Sequence, residues 1–261
     1  MAEPQFRTPK GTHDVLPEDH QYMTYIKKAV RHRARQAGYK RIDTPMFENR
    51  AIFERGIGEH TDIVEKELFI VSGKHKTEES ETDVQYALRP ELTAGICRSY
   101  IEHGMQQLPQ PVELYAIGPC FRYDRPQKGR YRQFHQVDLE VIGLKDPSLD
   151  AQLIHVCMKF LQDLRIRDRL TLQLNNIGNA ESRKAFVAAI KDYFIGKERH
   201  LSELDRRRLE SNPLRLLDSK EEDTQILLKS APTMDQFIDD ESKKYHATLE
   251  EYLAQFDVQY T

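Results

Sequence analysis

The sequence predicts an α+β fold, in which antiparallel strands pack against helices on one side. Residues 112–123 and 133–143 alternate as strands and are joined by a strongly basic link, a pattern typical of a long hairpin. Residues 179–255 have a helical pattern and are highly charged. No GxGxxG or GxxxxGK[ST] motif follows a predicted strand, which argues against Rossmann and P-loop nucleotide sites.

The charge balance limits the kinds of partner that the chain can have. Its 261 residues include 39 Lys and Arg against 42 Asp and Glu, for a net charge of −3. A protein that coats nucleic acid is usually strongly basic, so this class is disfavoured. A nucleic-acid partner that is bound through a local basic patch remains compatible with the composition.

The cysteines and the apolar runs predict a cytoplasmic protein. Cys97, Cys120 and Cys157 lie far apart without a CxxC pair, which indicates reduced thiols rather than a disulfide framework. No His and Cys cluster has the spacing of a metal site, so we predict no metal held by protein side chains alone. No run approaches the ~18 apolar residues of a membrane span.

The N-terminal half begins with a loop over residues 9–17 and a helix over residues 19–37. Residues 39–48 alternate like a strand that Pro45 breaks, which predicts a position at a sheet edge or an interface. This proline lies among apolar residues, so residues 39–60 are the predicted surface of a homodimer. The apolar cluster consists of Ile42, Met46, Phe47, Ile52 and Phe53.

Further short elements follow. Residues 65–71 and 84–89 have the pattern of two strands, and the polar link over residues 72–83 is interpreted as a hairpin turn. A helix is predicted over residues 92–103, directly after an Arg-Pro pair.

In the C-terminal half, residues 148–164 predict a helix and residues 169–175 a strand. The helical stretch over residues 179–255 is interrupted twice at a proline. Residues 256–261 have the pattern of a strand that is just beginning. We therefore expect the sheet to be incomplete at the C-terminus.

The basic hairpin is the strongest functional signal in the chain. Residues 121–136 carry five Lys or Arg against one acid. In the strand that follows, alternation places Gln136, Asp138 and Glu140 on one face. This pattern favours a site for a phosphate-bearing anion beside a small polar substrate. A solvated basic hairpin is the alternative interpretation.

Four segments in order resemble the histidyl-tRNA synthetases, a family of the class II aminoacyl-tRNA synthetases. FRYDRPQKGRYRQFHQ is similar to the second class II signature, and LRPELTAG is similar to the amino-acid-binding turn. PKGTHDVLP resembles the N-terminal entry loop, and RIDTPMFENRAIFERGIGEHTDIVEKELF resembles the first, dimer-forming signature. The resemblance implies that residues 1–261 form a partial class II catalytic core.

The implied activity is ATP-dependent ligation of L-histidine to tRNA(His) through histidyl-adenylate, with Mg²⁺. The family's third signature and its anticodon-binding domain have no counterpart in this sequence, so the chain by itself is expected to form the adenylate weakly or not at all. The alternative is a non-catalytic regulatory subunit of ATP phosphoribosyltransferase. The intact basic loop favours the enzyme, because a regulator has no use for so many phosphate-binding side chains.

The resemblance also implies which residues hold the amino acid. Glu91, Thr93 and Gln136 would bind the α-amino group, since carboxylate, hydroxyl and amide oxygens all accept from an ammonium. Glu140 would accept the N–H of the imidazole ring. Without the resemblance, Glu91 could simply be a helix-start residue that the helix dipole favours.

The implied phosphate-binding residues come from the second signature. Arg122 would contact the amino-acid carboxylate and the α-phosphate, where negative charge develops during the reaction. Arg130 would bind the outer phosphates, and Tyr131 would contribute to ATP binding. Taken alone, Arg122 could be a surface residue and Tyr131 a packing residue.

Overall fold

The computed structural model of the chain describes residues 6–57, 61, 63–71 and 85–261. The chain divides into two compact units. The first consists of Met1–Lys145 and Gln152–Asp168, and the second of Asp146–Ala151 and Arg169–Thr261.

A three-stranded sheet lies at the centre of the first unit. Its strands are β1 Lys40–Arg41, β5 Val112–Phe121 and β6 Gln133–Ile142, in the order β1-β5-β6. β5 and β6 pair antiparallel over all ten residues, which confirms the predicted hairpin. β1 pairs parallel with β5, so the antiparallel prediction is wrong for this strand. A parallel pair needs a long connection, and some seventy residues separate the two strands, since β1 ends at 41 and β5 begins at 112.

Four helices belong wholly or partly to this half of the chain. They are α1 His20–Gln36, α2 Arg50–Ile57, α3 Thr93–Glu102 and α4 Pro147–Asp163. The helices predicted over residues 19–37, 92–103 and 148–164 are therefore confirmed within one residue at every end.

Helices cover both faces of the β1-β5-β6 sheet, whereas the sequence predicted helices on one side. On one face, Tyr115 packs with Val30 of α1 and Phe160 of α4. On the other face, Leu114 packs with Ile96 of α3. The reason lies in β5, where apolar residues at both odd and even positions are buried, so that both faces need a cover.

A second, smaller sheet has the order β2-β4-β3 and is antiparallel throughout. Its strands are β2 Phe47–Asn49, β3 Ile70–Val71 and β4 Tyr86–Leu88. Pro45 lies between β1 and β2, and each of these strands is at a sheet edge, which confirms the prediction for residues 39–48. The predicted turn over residues 72–83 lies outside the described residues.

The strand predicted over residues 65–71 is mostly wrong. Ile63–Glu67 form a π-helical turn, and only Ile70–Val71 are a strand. Val64 is buried, and Leu68 packs against the cluster around Phe53. Val64 and Leu68 are four residues apart, so a helical turn holds them close together, whereas a strand would separate them by about 13 Å.

Arg89, directly after β4, is a buried charge that ties three segments together. It is 6% exposed, and its guanidinium donates to the main-chain carbonyls of Thr44 (2.7 Å), Pro119 (2.9 Å) and Pro45 (3.3 Å). Gly118 lies against the same guanidinium, and a Cβ at this position would overlap a terminal nitrogen. Burial of a charge is tolerated only with such hydrogen bonds, so the segments must keep this arrangement.

The second unit is helical, as the sequence predicts for residues 179–255. Its helices are α5 Ala180–Phe194, α6 Glu203–Ser211, α7 Glu222–Leu228 and α8 Asp240–Gln255. A short 3₁₀ turn, Pro213–Leu216, follows the first proline break. Phe186, Ile190, Phe194, Leu201 and Leu216 form the buried core of this unit.

One buried carboxylate organises the second unit. Asp205 is fully buried and accepts hydrogen bonds from Ser219, Thr224 (2.8 Å) and Arg208 (2.9 Å). Burial by itself would raise the pKa of Asp205, but these three donors lower it below its ordinary value. The carboxylate therefore stays ionised and joins α6 to the start of α7.

The strands predicted over residues 169–175 and 256–261 are wrong as strands. Arg167–Arg169 form a 3₁₀ turn, and no strand is assigned in either segment. Two backbone bonds link them, since Thr261 N donates to Leu172 O (2.9 Å) and Leu174 N donates to Thr261 O (3.0 Å). Two bonds do not make a ladder. A strand needs a partner along its length, and alternation in the sequence does not show whether one is present.

Within the described ranges, no helix has both the length and the apolar content that crossing a membrane requires.

The contact between Gly118 and Arg89 gives a prediction about stability. We expect Gly118→Ala to lower the free energy of unfolding by about 1–3 kcal/mol, because the added methyl group displaces a buried guanidinium. Urea denaturation of the purified chain measures the change.

Two further variants identify the cause. In an Arg89→Lys background the same glycine substitution should cost less, since lysine lacks the terminal nitrogen that meets the new methyl group. Gly56→Ala is the matched control, because its Cβ would meet only the Ala94 Cβ at 3.3 Å. An equal cost of Gly118→Ala in both backgrounds would contradict the explanation.

Candidate active site

The floor of the candidate site is the face of the sheet that packs against α3. On β6 this face carries Gln136, Asp138 and Glu140, as the alternation predicted. The β5 residues opposite the first two are Gly118 and Ala116. Neither residue has a side chain larger than a methyl group, so the paired positions of β5 do not cover Gln136 and Asp138.

Glu91 forms the start of α3. Its carboxylate accepts hydrogen bonds from the backbone N–H groups of Thr93 (2.6 Å) and Ala94 (2.8 Å). Glu91 therefore does stabilise the start of the helix, as the alternative interpretation predicted. Each carboxylate oxygen has a second lone pair, so capping does not exclude a bond to a ligand.

Thr93 connects α3 to β6. Its hydroxyl donates to Asp138 Oδ2 at 3.4 Å. Burial raises the pKa of Glu140, and a hydrogen bond with the same hydroxyl offsets part of that rise. Three of the four residues predicted to bind an amino acid, Glu91, Thr93 and Glu140, are thereby brought together. Gln136 lies on the same face, where its amide oxygen accepts from the Cys120 thiol at 3.6 Å.

Asp138 is a site residue that the sequence interpretation did not select. Burial raises the pKa of Asp138 to about 7, and the nearby charges of Glu140 and Glu91 act in the same direction. Burial also raises the pKa of Glu140. Alternation along β6 already placed Asp138 between Gln136 and Glu140, so the signal was present in the sequence.

The carboxylates make this end of the site strongly anionic. Burial raises the pKa of the Cys97 thiol on α3, and the charges of Glu140, Glu91 and Asp138 raise it further. Such a cluster favours a cationic ligand, because a positive charge relieves the repulsion among the acids. Glu91, Thr93 and Cys97 also line a cleft of about 790 Å³ between α2 and α3.

Arg122 marks the opposite, cationic end of the same face. Its Nε donates to the main-chain carbonyl of Pro90 at 3.0 Å, next to Glu91. Its guanidinium carbon lies 5.3 Å from the centre of the Phe134 ring. Both contacts fix the side chain, so that the guanidinium is held ready for an anion.

A second cleft brings together the residues predicted to bind phosphates. It measures about 550 Å³, and Arg122, Arg130 and Tyr131 line it, together with Phe134 and His135. We call it the loop cleft. The structure therefore places all three predicted phosphate-binding side chains around one cavity.

The basic loop is held by several contacts. Arg132 donates its backbone N–H to Gly11 O at 2.7 Å, and its guanidinium carbon lies 3.9 Å from the centre of the Tyr123 ring. The rings of His13 and Tyr131 are 4.9 Å apart. The N-terminal entry loop thus supports the basic loop, a contact that local sequence patterns do not reveal.

Among the described residues, no group of three or more His, Cys, Asp and Glu is arranged to hold a metal ion. The carboxylates of Glu67 and Asp124 nevertheless line the loop cleft beside the arginines. Mg²⁺ is commonly bound by one or two carboxylates together with substrate phosphates, and this donor set fits such a mode.

Comparison with known proteins agrees with this geometry. A family model described as histidyl-tRNA synthetase matches residues 11–192. A histidine–tRNA ligase from Dehalococcoides mccartyi is 42% identical over 253 residues, which are 97% of this chain and 59% of that protein. One from Thermosynechococcus vestitus is 41% identical and is matched over 58% of its length. The chain thus spans less than two thirds of these relatives.

Solved structures agree as well. The crystal structure of apo S. aureus histidyl-tRNA synthetase matches with a TM-score of 0.73 and 32% identity, covering 98% of this chain and 56% of that one. A Bacillus halodurans structure, described as an ATP phosphoribosyltransferase regulatory subunit/histidyl-tRNA synthetase, matches with a TM-score of 0.60 at 20% identity, covering 98% of this chain and 66% of that one. The second likeness shows a shared fold only.

The raised pKa of Asp138 predicts how stability depends on pH. Its ionised form is disfavoured in the folded protein, so Asp138 costs stability increasingly as pH rises from its ordinary pKa of 3.8 to about 7. Asp138→Asn should therefore raise the free energy of unfolding by about 1–3 kcal/mol at about pH 8, with little effect near pH 4. Urea denaturation across this pH range measures the difference.

Asp163 provides a control of opposite sign. The hydrogen bonds from Arg33 (2.6 Å) lower the pKa of Asp163, so its ionised form stabilises the fold. Asp163→Asn should lower stability at about pH 8, and the loss should fade in acid. If Asp138→Asn made the protein less stable at about pH 8, the proposed repulsion of Asp138 by Glu140 and Glu91 would be refuted.

Proposed function

Because this chain belongs to the histidyl-tRNA synthetase family, we propose that it forms the amino-acid-binding and phosphate-binding part of an enzyme that ligates L-histidine to tRNA(His). The energy source is ATP, and the intermediate is histidyl-adenylate. Residues 1–261 are part of a class II catalytic core in this proposal.

One observation supports the proposal most strongly: the two ends of a single sheet face carry opposite charge. Arg122 and Phe134 lie at one end and Glu140 at the other, six residues or about 20 Å along β6 from Phe134. A histidyl-adenylate has the same polarity. It carries a cationic amino group and a ring with N–H donors at one end, and a phosphate at the other.

At the anionic end, Glu91, Thr93 and Gln136 bind the α-amino group of histidine, and Glu140 accepts the ring N–H. The bond between Thr93 and Asp138 and the shared electrostatics of the carboxylates support this assignment. Asp138 adds negative charge beside Glu140. Binding of an ammonium would favour the ionised forms of both acids.

At the cationic end, Arg122 holds the carboxylate of histidine against the α-phosphate of ATP. A carboxylate oxygen attacks the α-phosphorus, and the bond to the β-phosphate breaks to release pyrophosphate. Arg122 stabilises the charge that develops on the α-phosphate, since its position is already fixed. Arg130 binds the outer phosphates, and Tyr131 contributes to the ATP site.

Mg²⁺ fits the loop cleft when it is bound together with ATP. Glu67 and Asp124 are the residues that would hold it there, and the ion would neutralise charge on the phosphates.

The alternative, a regulatory subunit without catalysis, is less well supported. It would need the fold but not a cleft in which Arg122, Arg130 and Tyr131 converge. The three cysteines are free thiols, which is compatible with the proposed cytoplasmic location.

We also propose a homodimer that uses residues 39–60, with a revised set of contacts. Phe53 is fully buried within the chain and Ile42 packs against its core, so these two cannot supply the interface as expected. Met46 and Phe47 are 51% and 55% exposed, and Phe47 contacts the exposed Tyr86 ring at 6.0 Å. These side chains support an interface on the edge of the smaller sheet.

Histidine-dependent exchange of pyrophosphate into ATP tests the proposed function, in the protein that carries this chain. We expect exchange with histidine and not with other amino acids. Glu140→Gln keeps the shape of the side chain but removes its charge, and should cost about 2–4 kcal/mol in kcat/KM for histidine. Glu251→Gln, an exposed change of the same type, is the control.

Equal effects of the two substitutions would show that another residue recognises the ring. Absence of exchange at any histidine concentration, with the protein folded and full-length, would favour the regulatory alternative.

The dimer is tested by Phe47→Asp. A charge in the centre of the proposed apolar contact should convert a dimer to a monomer, because a buried carboxylate without a partner is costly. Light scattering at tens of micromolar measures the mass. A monomeric mass for the unmodified protein, or a dimer that tolerates Asp at this position, contradicts the proposed interface.

A further inference from the structure

Helix α1 has an unusual charge composition that the proposed active site does not use. Its 17 residues include five Lys or Arg and two His, and no acid. Within the described residues, Arg33 is the only one of these five Lys and Arg with an ion pair, because its guanidinium donates two bonds of 2.6 Å to Asp163.

The remaining cations form a continuous surface. We call it the α1 basic face, and it consists of Lys27, Lys28, Arg31, His32 and Arg35. Four of these residues, with Gln36, line a cleft of about 480 Å³. Positions 27, 31 and 35 follow one another at one helical turn each, about 6 Å apart along the axis.

Charges on this face are not balanced by acids. In the part of the chain that the structure describes, Lys28, Arg31 and Arg35 form no ion pair. The Nε of Arg31 is buried and makes no hydrogen bond. A buried donor without a partner is costly, so this guanidinium is in a position to gain from binding an anion.

Helix α6 shows that the pattern is not a general property of basic helices in this chain. It carries three consecutive arginines, but Arg207 pairs with Glu203 and Arg208 pairs with Asp205. Local pairing therefore neutralises two of the three arginines of α6, whereas the basic residues of α1 have no acid on their own helix to pair with.

The structure also indicates what kind of anionic partner fits. A helix that lies on a membrane needs a free apolar face, but Val30 and Ala34 of α1 are buried against the sheet. Tyr25 lies one turn before Lys28 and is exposed, with its hydroxyl fixed by a 2.5 Å bond to Asp163 O. An oriented ring beside cations is typical of surfaces that bind nucleic acid, where bases stack on aromatic side chains.

The α1 basic face is also connected to the loop cleft. Burial, together with the nearby charges of Lys27 and His13, lowers the pKa of His135. His135 lines the loop cleft. The charge of Lys27 thus reaches one side chain of the cavity in which we propose that phosphates bind.

We propose that the α1 basic face binds the phosphate backbone of an RNA. Arginine forks match phosphate oxygens, and a row of cations along a helix suits a repeating chain of phosphates. The identification of this RNA as tRNA rests on the proposed function, whereas binding of RNA phosphates by the face does not.

Fluorescence anisotropy with a labelled RNA hairpin that has a single-stranded 3′ end tests the proposal. The test variant is Lys28→Gln/Arg31→Gln/Arg35→Gln. We expect its affinity at low salt to fall at least about tenfold, and the slope of log K against log salt to shrink by roughly two to three.

The matched control is Arg207→Gln/Lys220→Gln/Lys229→Gln, which removes the same charge from exposed positions of the second unit. It should leave the slope unchanged. Lys28→Arg/Arg31→Lys/Arg35→Lys keeps the charge and should retain most of the binding. Equal losses in the two glutamine variants would overturn the proposal, because net charge alone would then explain them.

Two further measurements keep the result decisive. If the triple variant melts at a lower temperature, Lys28→Gln and Arg35→Gln alone should each reduce the slope by about one; unchanged slopes overturn the proposal. Vesicles that contain phosphatidylserine provide the membrane comparison. Binding to these vesicles that the triple variant abolishes, with RNA binding intact, would assign the face to a membrane and overturn the proposal.

Exchange of pyrophosphate without RNA separates this inference from the proposed function. The triple variant should exchange at the rate of the unmodified protein, because none of its changes lies in the proposed active site. If no form of the protein shows exchange but the variant still loses RNA binding, the proposed function fails and the RNA-binding face stands. If exchange is normal and RNA binding is not affected, the face is wrong and the proposed function stands.

Discussion

Arg89 places a guanidinium inside the first unit, where it donates to the carbonyls of Thr44, Pro45 and Pro119. Because the charge is buried, loss of any of these bonds would cost considerable free energy, so the three segments are held in one arrangement. The turn that carries Glu91 follows directly, and Arg122 donates to Pro90 O from the end of β5. The relative positions of the two ends of the candidate site therefore depend on one buried side chain and on the absence of a Cβ at Gly118.

The candidate site also contains carboxylates whose mutual repulsion lowers the stability of the fold. Glu91, Asp138 and Glu140 gather beside α3, and burial and mutual repulsion raise the pKa of the last two. A protein selected only for stability would have no reason to keep such a group. Destabilising clusters of this kind are common where a ligand relieves them, which agrees with the proposed binding of an ammonium.

Charge patterns in the sequence had different outcomes in the structure. The basic loop over residues 121–136 supplies most of the residues that line the loop cleft, and Gly11 of the N-terminal entry loop supports it through a backbone hydrogen bond. Two of the three arginines of α6, Arg207 and Arg208, are paired with acids one turn away, as on many solvated helices. The cations of α1 are not, because the acids that could pair with them are absent from their own helix. The number of basic residues in a segment does not show whether they are paired with acids, since pairing depends on which residues share a face.

The sequence by itself determined α1, α3, α4 and the helical character of the second unit, although not α2. It also determined the long hairpin of β5 and β6 and the side of β6 on which Gln136, Asp138 and Glu140 lie. These features depend on local periodicity, which a linear pattern records. Only the tertiary structure decided that β1 pairs parallel with β5, that residues 63–67 form a π-helical turn, and that Thr93 meets Asp138. Each of these depends on residues far apart in the chain, or on how a short apolar segment finds the core. Such contacts depend on how distant segments pack together, and the spacing of residues within one segment does not predict that packing.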